Sequence, residues 1–163
     1  MGNADNIYVG PVKVEYSTNG SDYTDVGYTE DDIRIVPEAA QEAIESGQTV
    51  GVVKKFRPSI RQYVEFDMKE ICSLGMLQSL LGLEQSPGSG MKWSPTVGST
   101  LYCKFTRLNY TGAAKIYTTQ VFEAEPNAMH ISKTPTALSL RFEEYPTHDA
   151  TTGDVTFGSW SAS

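Results

Sequence analysis

Hydrophobic and polar positions alternate most cleanly in two stretches. In "SIRQYVEFDM" (Ser59–Met68), Ile60, Val64, Phe66 and Met68 face one way, while Arg61, Tyr63, Glu65 and Asp67 face the other. In "TALSLRFEEY" (Thr136–Tyr145), Leu138, Leu140 and Phe142 alternate with Ser139, Arg141 and Glu143. A period of two predicts a strand with one buried and one solvated face. Weaker versions of the pattern predict strands over Ile7–Tyr16, Asp32–Val36, Thr49–Phe56, Thr100–Tyr110 and Lys115–Glu125. Only one segment carries a convincing helical period, over about residues 69–82. There Ile71, Leu74, Leu77 and Leu81 form a stripe widened by Leu80, with Asp67 as a candidate cap and Gly82 as a stop. The order is mainly β, which points to a β-sandwich or partly rolled barrel with one flanking helix and long loops.

One stretch pulls two ways. "PEAAQEAIES" (Pro37–Ser46) has the best helix-forming composition in the chain, yet it lies between two predicted strands. Its alternation is partial, with Ala40, Glu42 and Ile44 on one face and Gln41, Ala43 and Glu45 on the other. Two further segments are predicted as loops, Ser17–Gly27 and the Pro/Gly/Ser-rich Glu84–Ser99.

At 163 residues the chain suits a single domain spanning 1–163, with flexible residues 1–6 and a polar C-terminal tail over 146–163. Val155, Phe157 and Trp160 are that tail's candidate docking points. No apolar run is long enough to span a membrane as a helix, so no membrane partner is expected.

Charge changes the picture. Residues 1–50 hold ten acidic and two basic side chains, net −8, whereas residues 51–163 hold ten acidic and eleven basic, net +1. Tight binding to phosphates needs clustered cations and is not expected. The one basic cluster is "VKKFRPSIR", with Lys54, Lys55, Arg57 and Arg61. Set against Glu30, Asp31 and Asp32 in "TEDD", it could join copies head to tail, a contact that builds rings or filaments.

Catalytic chemistry has no constellation here. Cys72 and Cys103 have no metal spacing and are expected as reduced, buried thiols. His130 and His148 lack ligand-spaced partners apart from Asp149 beside His148. "GSG" (Gly88–Gly90) lacks the Lys and Ser/Thr of a phosphate loop. Glu143 and Glu144 are neighbours on a predicted strand and point to opposite faces, so they do not converge for acid–base work. No enzyme activity, metal or cofactor is expected.

The order "VGYTEDDIRI", an extended segment, then "GVVKKFRPSIRQYVEFDMKEICSLGMLQSLLG" resembles the major tail tube proteins of long-tailed, siphovirus-like bacteriophages. The ending "TPTALSLRFEEYPTHDATTGDVTFGSW" is similar to that family's last strand and polar tail, so the likeness covers nearly the whole chain. It implies a structural virion protein, made in the bacterial host cytoplasm and located in the phage tail. Such subunits form six-fold rings that stack into a hollow tube, with sandwich strands contributing to an inner barrel. Viral DNA passes through the lumen without specific binding. Tape measure and tail terminator or baseplate proteins are the implied further partners.

The resemblance places Pro37–Ser46 in an extended segment. It makes Glu30, Asp31, Asp32, Lys54, Lys55, Arg57 and Trp93 candidates for contacts between subunits or rings. Glu42, Glu45, Arg61 and Glu65 become candidates for the lumen. Two alternatives stay open: a ring-forming tail terminator or head–tail joining protein, and a monomeric β-sandwich binding module. In the latter, Tyr63, Trp93, Tyr102 and Trp160 would offer stacking faces for carbohydrate.

Overall fold

A computed structural model describes residues 12–27, 29, 33–45, 52–57, 59–68, 74–81, 83–84, 92–93, 100–108, 114–122, 124, 129–130 and 137–162. The first half contains β1 (Val12–Ser17), β2 (Thr24–Asp25), β3 (Arg34–Ala39), β4 (Glu42–Glu45), β5 (Val52–Phe56) and β6 (Ile60–Met68). Helix α1 (Leu74–Leu81) follows, then β7 (Leu83–Glu84) and β8 (Lys92–Trp93). The second half contains β9 (Leu101–Leu108), β10 (Ala114–Val121), β11 (Met129–His130) and β12 (Ala137–Glu143). It ends in β13 (Thr147–His148), β14 (Val155–Thr156) and β15 (Ser159–Ala162).

Two antiparallel sheets face each other. One runs β15-β10-β9-β1-β2 and the other β11-β12-β6-β3. No closed barrel forms among the described residues, and the fold is mainly β and sandwich-like, as the alternation predicts. Cross-strand register puts Ile35, Val64 and Phe142 in one inward row and Phe66 with Leu140 in the next. Opposite them, β1 and β9 align Val14 with Phe105, and β9 and β10 align Phe105 with Tyr117. The sheets meet through rings: Phe66 stacks on Phe142 at 5.7 Å and meets Phe105 edge-on at 6.0 Å. These offset and T-shaped arrangements are the ones aromatic quadrupoles favour.

Helix α1 delivers Met76, Leu80 and Leu81 to this core, and the Ala124 N–H donates to the Leu80 carbonyl at 2.8 Å. The expected helix is shorter among the described residues, because 69–73 and 82 lie outside them. The residues that the candidate cap Asp67 would cap lie outside the described ones. Asp67 itself belongs to β6, aligned with Ser139, since continuing the ladder satisfies its backbone.

Within Pro37–Ser46, residues 37–39 and 42–45 are strand, 40–41 link them, and Ser46 lies outside the described residues. Residues 34–39 form β3 on β6, and 42–45 form β4 on β5. Helix propensity is a weak preference that ladder pairing overrides. Pro37 is tolerated because β3 is an edge strand.

The C-terminal segment is built into the fold. After the β13-β14 hairpin, β15 adds to β10, with Trp160 opposite Tyr117. Gly158, at φ +46°, makes that approach possible: a Cβ there would collide with the Tyr117 hydroxyl.

Candidate functional site

The outward side of the β12-β6-β3 layer is a lattice of charge. Strand periodicity alone puts it there, since every second residue must point away from the core. One register row reads Arg34, Glu65, Arg141 across the three strands, so a carboxylate sits between two guanidinium groups. Glu65 forms ion pairs with Arg34 at 3.4 Å and with the Arg141 Nε at 3.5 Å. The next row is Val36, Tyr63, Glu143, and beyond it Glu38 faces Arg61. Arg141 lies over the Tyr63 ring, 3.8 Å from its centroid, and reaches across β6 to Glu38 at 2.6 Å. Arg61 pairs diagonally with Glu143 at 3.8 Å. Two open hollows mark this face, one lined by Arg34, Glu65, Asp67, Ser139, Leu140 and Arg141, the other by Glu38, Ala39, Ala40, Ser59 and Arg61.

Arg61 and Glu65, lumen candidates from alternation, therefore sit on one outward face beside each other's partners. Neither enters the sandwich. Tyr63 shares their face yet is buried, because the Arg141 guanidinium roofs it. Arg34, Glu38, Arg141 and Glu143 complete the lattice. Their parity was readable in each strand, but no local signal said that residues about 103 apart in sequence, Glu38 and Arg141, would meet.

Beyond this face the hairpin continues. The Ala40 N–H donates to the Ser59 carbonyl at 3.2 Å, joining the β3-β6 ladder to the β4-β5 pair. Strands β4 and β5 have no third strand among the described residues. Glu42, Ala43, Lys54, Lys55 and Arg57 are exposed there, so this part of the hairpin is a bare two-stranded ribbon. Lys54 aligns with Ile44 and Lys55 with Ala43, so the adjacent lysines point to opposite faces rather than forming one patch. Glu42 aligns with Phe56, and Glu45 with Val52 across a bulge. Trp93 lies in β8, aligned with Leu83. Glu30, Asp31 and Asp32 lie outside the described residues, as does Cys72.

A second polar cluster is internal. Glu144 is buried, accepting from the Tyr117 hydroxyl at 2.7 Å and the Gln62 amide at 2.5 Å. Gln62 also donates to the Tyr117 oxygen at 3.2 Å. Burial and the adjoining carboxylate push the Tyr117 phenol well above its ordinary pKa. Its sequence neighbour Glu143 points outward, as expected of adjacent strand residues. Burial raises the Cys103 thiol to about 12, so it is an inert core group. Among the described residues no group of three or more His, Cys, Asp or Glu could hold a metal ion.

The aromatic residues do not make one platform. Tyr63 lies under Arg141 on one sheet, Tyr102 is half-buried beside Gly20 on the other, and Trp160 stands exposed at the β15 edge.

No protein-family model matches the chain, and no curated protein sequence matches it. In fold it is similar to a chain in the six-fold symmetrised cryo-EM structure of the anti-feeding prophage baseplate. The TM-score is 0.54 at 12% sequence identity, over 96% of this chain and 97% of that one. The two share an architecture from end to end.

Proposed function

We propose that the protein is a non-enzymatic structural subunit of a bacteriophage tail or a tail-like particle, and that it assembles into six-fold rings. The fold shared end to end with a chain of a six-fold symmetrised baseplate carries this reading. The tail-tube sequence resemblance supports it independently. In the finer form of the proposal, rings stack into a hollow tube, the charged face of β3, β6 and β12 lines the lumen, and DNA passes without specific binding. The bare β4-β5 ribbon supports the assembly part. An isolated two-stranded hairpin is marginal in water, and its exposed strand groups are natural templates for a neighbouring copy.

A ring at one end of a tube is the second reading, favoured by the baseplate origin of the similar chain. Negative-stain electron microscopy of the purified protein over a concentration series separates the two. Tubes are expected from a tube subunit, and rings that do not polymerise from a terminal ring. A monomer that stays monomeric beside added tail components would remove both.

A further inference from the structure

The chain's acidity is not on the face proposed for the lumen. That face carries three arginines, Arg34, Arg61 and Arg141, against four carboxylates, Glu38, Glu65, Asp67 and Glu143. Net charge alone repels a polyanion only weakly there, because the field of one unpaired charge fades within a Debye length of about 8 Å at physiological salt. Three arginines in one patch would ordinarily make a phosphate-binding surface.

We infer that this face tolerates a duplex polyphosphate because its carboxylates mask its arginines, with Glu65 and Glu38 as the masking residues. The inference rests on the proposed lumen position of the face. Its geometric basis is the row Arg34, Glu65, Arg141 and the reach of Arg141 to Glu38. Arg141 is the most firmly held of the three. Its guanidinium is pinned between Glu38, Glu65 and the Tyr63 ring, and its side chain is 32% exposed. A guanidinium already paired with carboxylates has its charge compensated and offers a phosphate little net attraction. Phosphate would have to displace that partner, and the displacement releases few condensed counterions, the main source of affinity for DNA. The face is therefore slippery by pairing rather than by excess negative charge. Glu65 matters most because it serves two arginines at once.

The test is a fluorescence-anisotropy titration of a labelled DNA duplex of about 30 bp with full-length protein at about 50 and about 200 mM salt. Wild type, Glu65→Gln, the double variant Glu38→Gln/Glu65→Gln, and that double variant with Arg141→Ala are compared, with circular dichroism confirming the fold of each. Wild type is expected to bind weakly. The double variant should bind about tenfold tighter at the lower salt and lose most of that gain at the higher. Adding Arg141→Ala should return it toward wild type. Folded variants with no gain would overturn the inference, as would a wild type that already binds as tightly as the double variant. A gain left undiminished by Arg141→Ala would also overturn it. If Glu65→Gln does not fold, Glu143→Gln, which releases Arg61, reads the same property. Ring formation is scored separately by microscopy. Rings with no gain in DNA affinity sink the masking and leave the ring proposal standing, and a gain without rings does the reverse.

Discussion

The two halves of one long hairpin behave as different materials. Near its base, β3 and β6 lie in a four-stranded sheet, and their inward residues Ile35, Val64 and Phe66 belong to or pack against the core. Farther out, β4 and β5 form a separate two-stranded ladder, with no third strand among the described residues and no buried side chain among those whose burial is known. The backbone pairing is alike, and the difference lies in what each half packs against. A ladder hydrogen bond nets only about 1 kcal/mol, so strands persist mainly through the apolar surface they bury. The base is thus held within the protomer, whereas the ribbon has no comparable support among the described residues and is the part that the proposed assembly would cover.

Phe66→Ala should break the base most severely. It removes the ring that joins Phe142 and Phe105, and should cost about 3–5 kcal/mol in a urea denaturation curve. An equally large loss from any exposed ribbon substitution would overturn the contrast.

Tyr117→Phe comes next, at about 1–3 kcal/mol, because it leaves the buried Glu144 without one of its donors. The same residue sets an alkaline limit. Its folded pKa is raised, so its contribution is present below the unfolded value of about 10 and falls as pH rises beyond it. Cys103 acts in the same direction from about 8.5, its ordinary value, up toward about 12. Thermal melts should therefore decline from pH about 9 upward, and less steeply in Tyr117→Phe and Cys103→Ala. A decline unchanged in both variants would remove these groups from the account.

Arg141→Ala should be milder, about 1 kcal/mol, since the pair is partly exposed and its gain is screened by water. It should uncover Tyr63, visible as greater quenching of tyrosine fluorescence by acrylamide.

The smallest effect on stability should come from replacing Lys54, Lys55 and Arg57 together by Ala, within about 0.5 kcal/mol, as is usual for exposed positions. The effect on assembly should be the opposite, with fewer or no rings under the electron microscope. Normal assembly by this variant would take the basic residues out of the contact. Native-state hydrogen exchange sharpens the same point: amides of β4 and β5 should exchange faster than those of β3 and β6 in the free protein, and slow on assembly.

The mainly β class, the two faces of Ser59–Met68 and Thr136–Tyr145, and the outward placement of Arg61 and Glu65 were all readable in the chain. A strand with one buried side writes that side into its sequence every second residue. Pro37–Ser46 shows where this fails. Residues 37–43 are all exposed, so this stretch has no buried face to write, and its alanines and glutamates reflect local preference. The β15 strand was equally hidden, because a polar segment becomes an edge strand only when Tyr117 and Gly158 are there to receive it.

Composition and periodicity thus determined which residues face inward, because burial is a property of each strand. Tertiary structure alone decided which strands are neighbours. That choice set Glu65 between Arg34 and Arg141, laid Arg141 over Tyr63, and left β4 and β5 without a third strand among the described residues. Pairing across such separations depends on the packing of both sheets together, and no local stretch of sequence contains it.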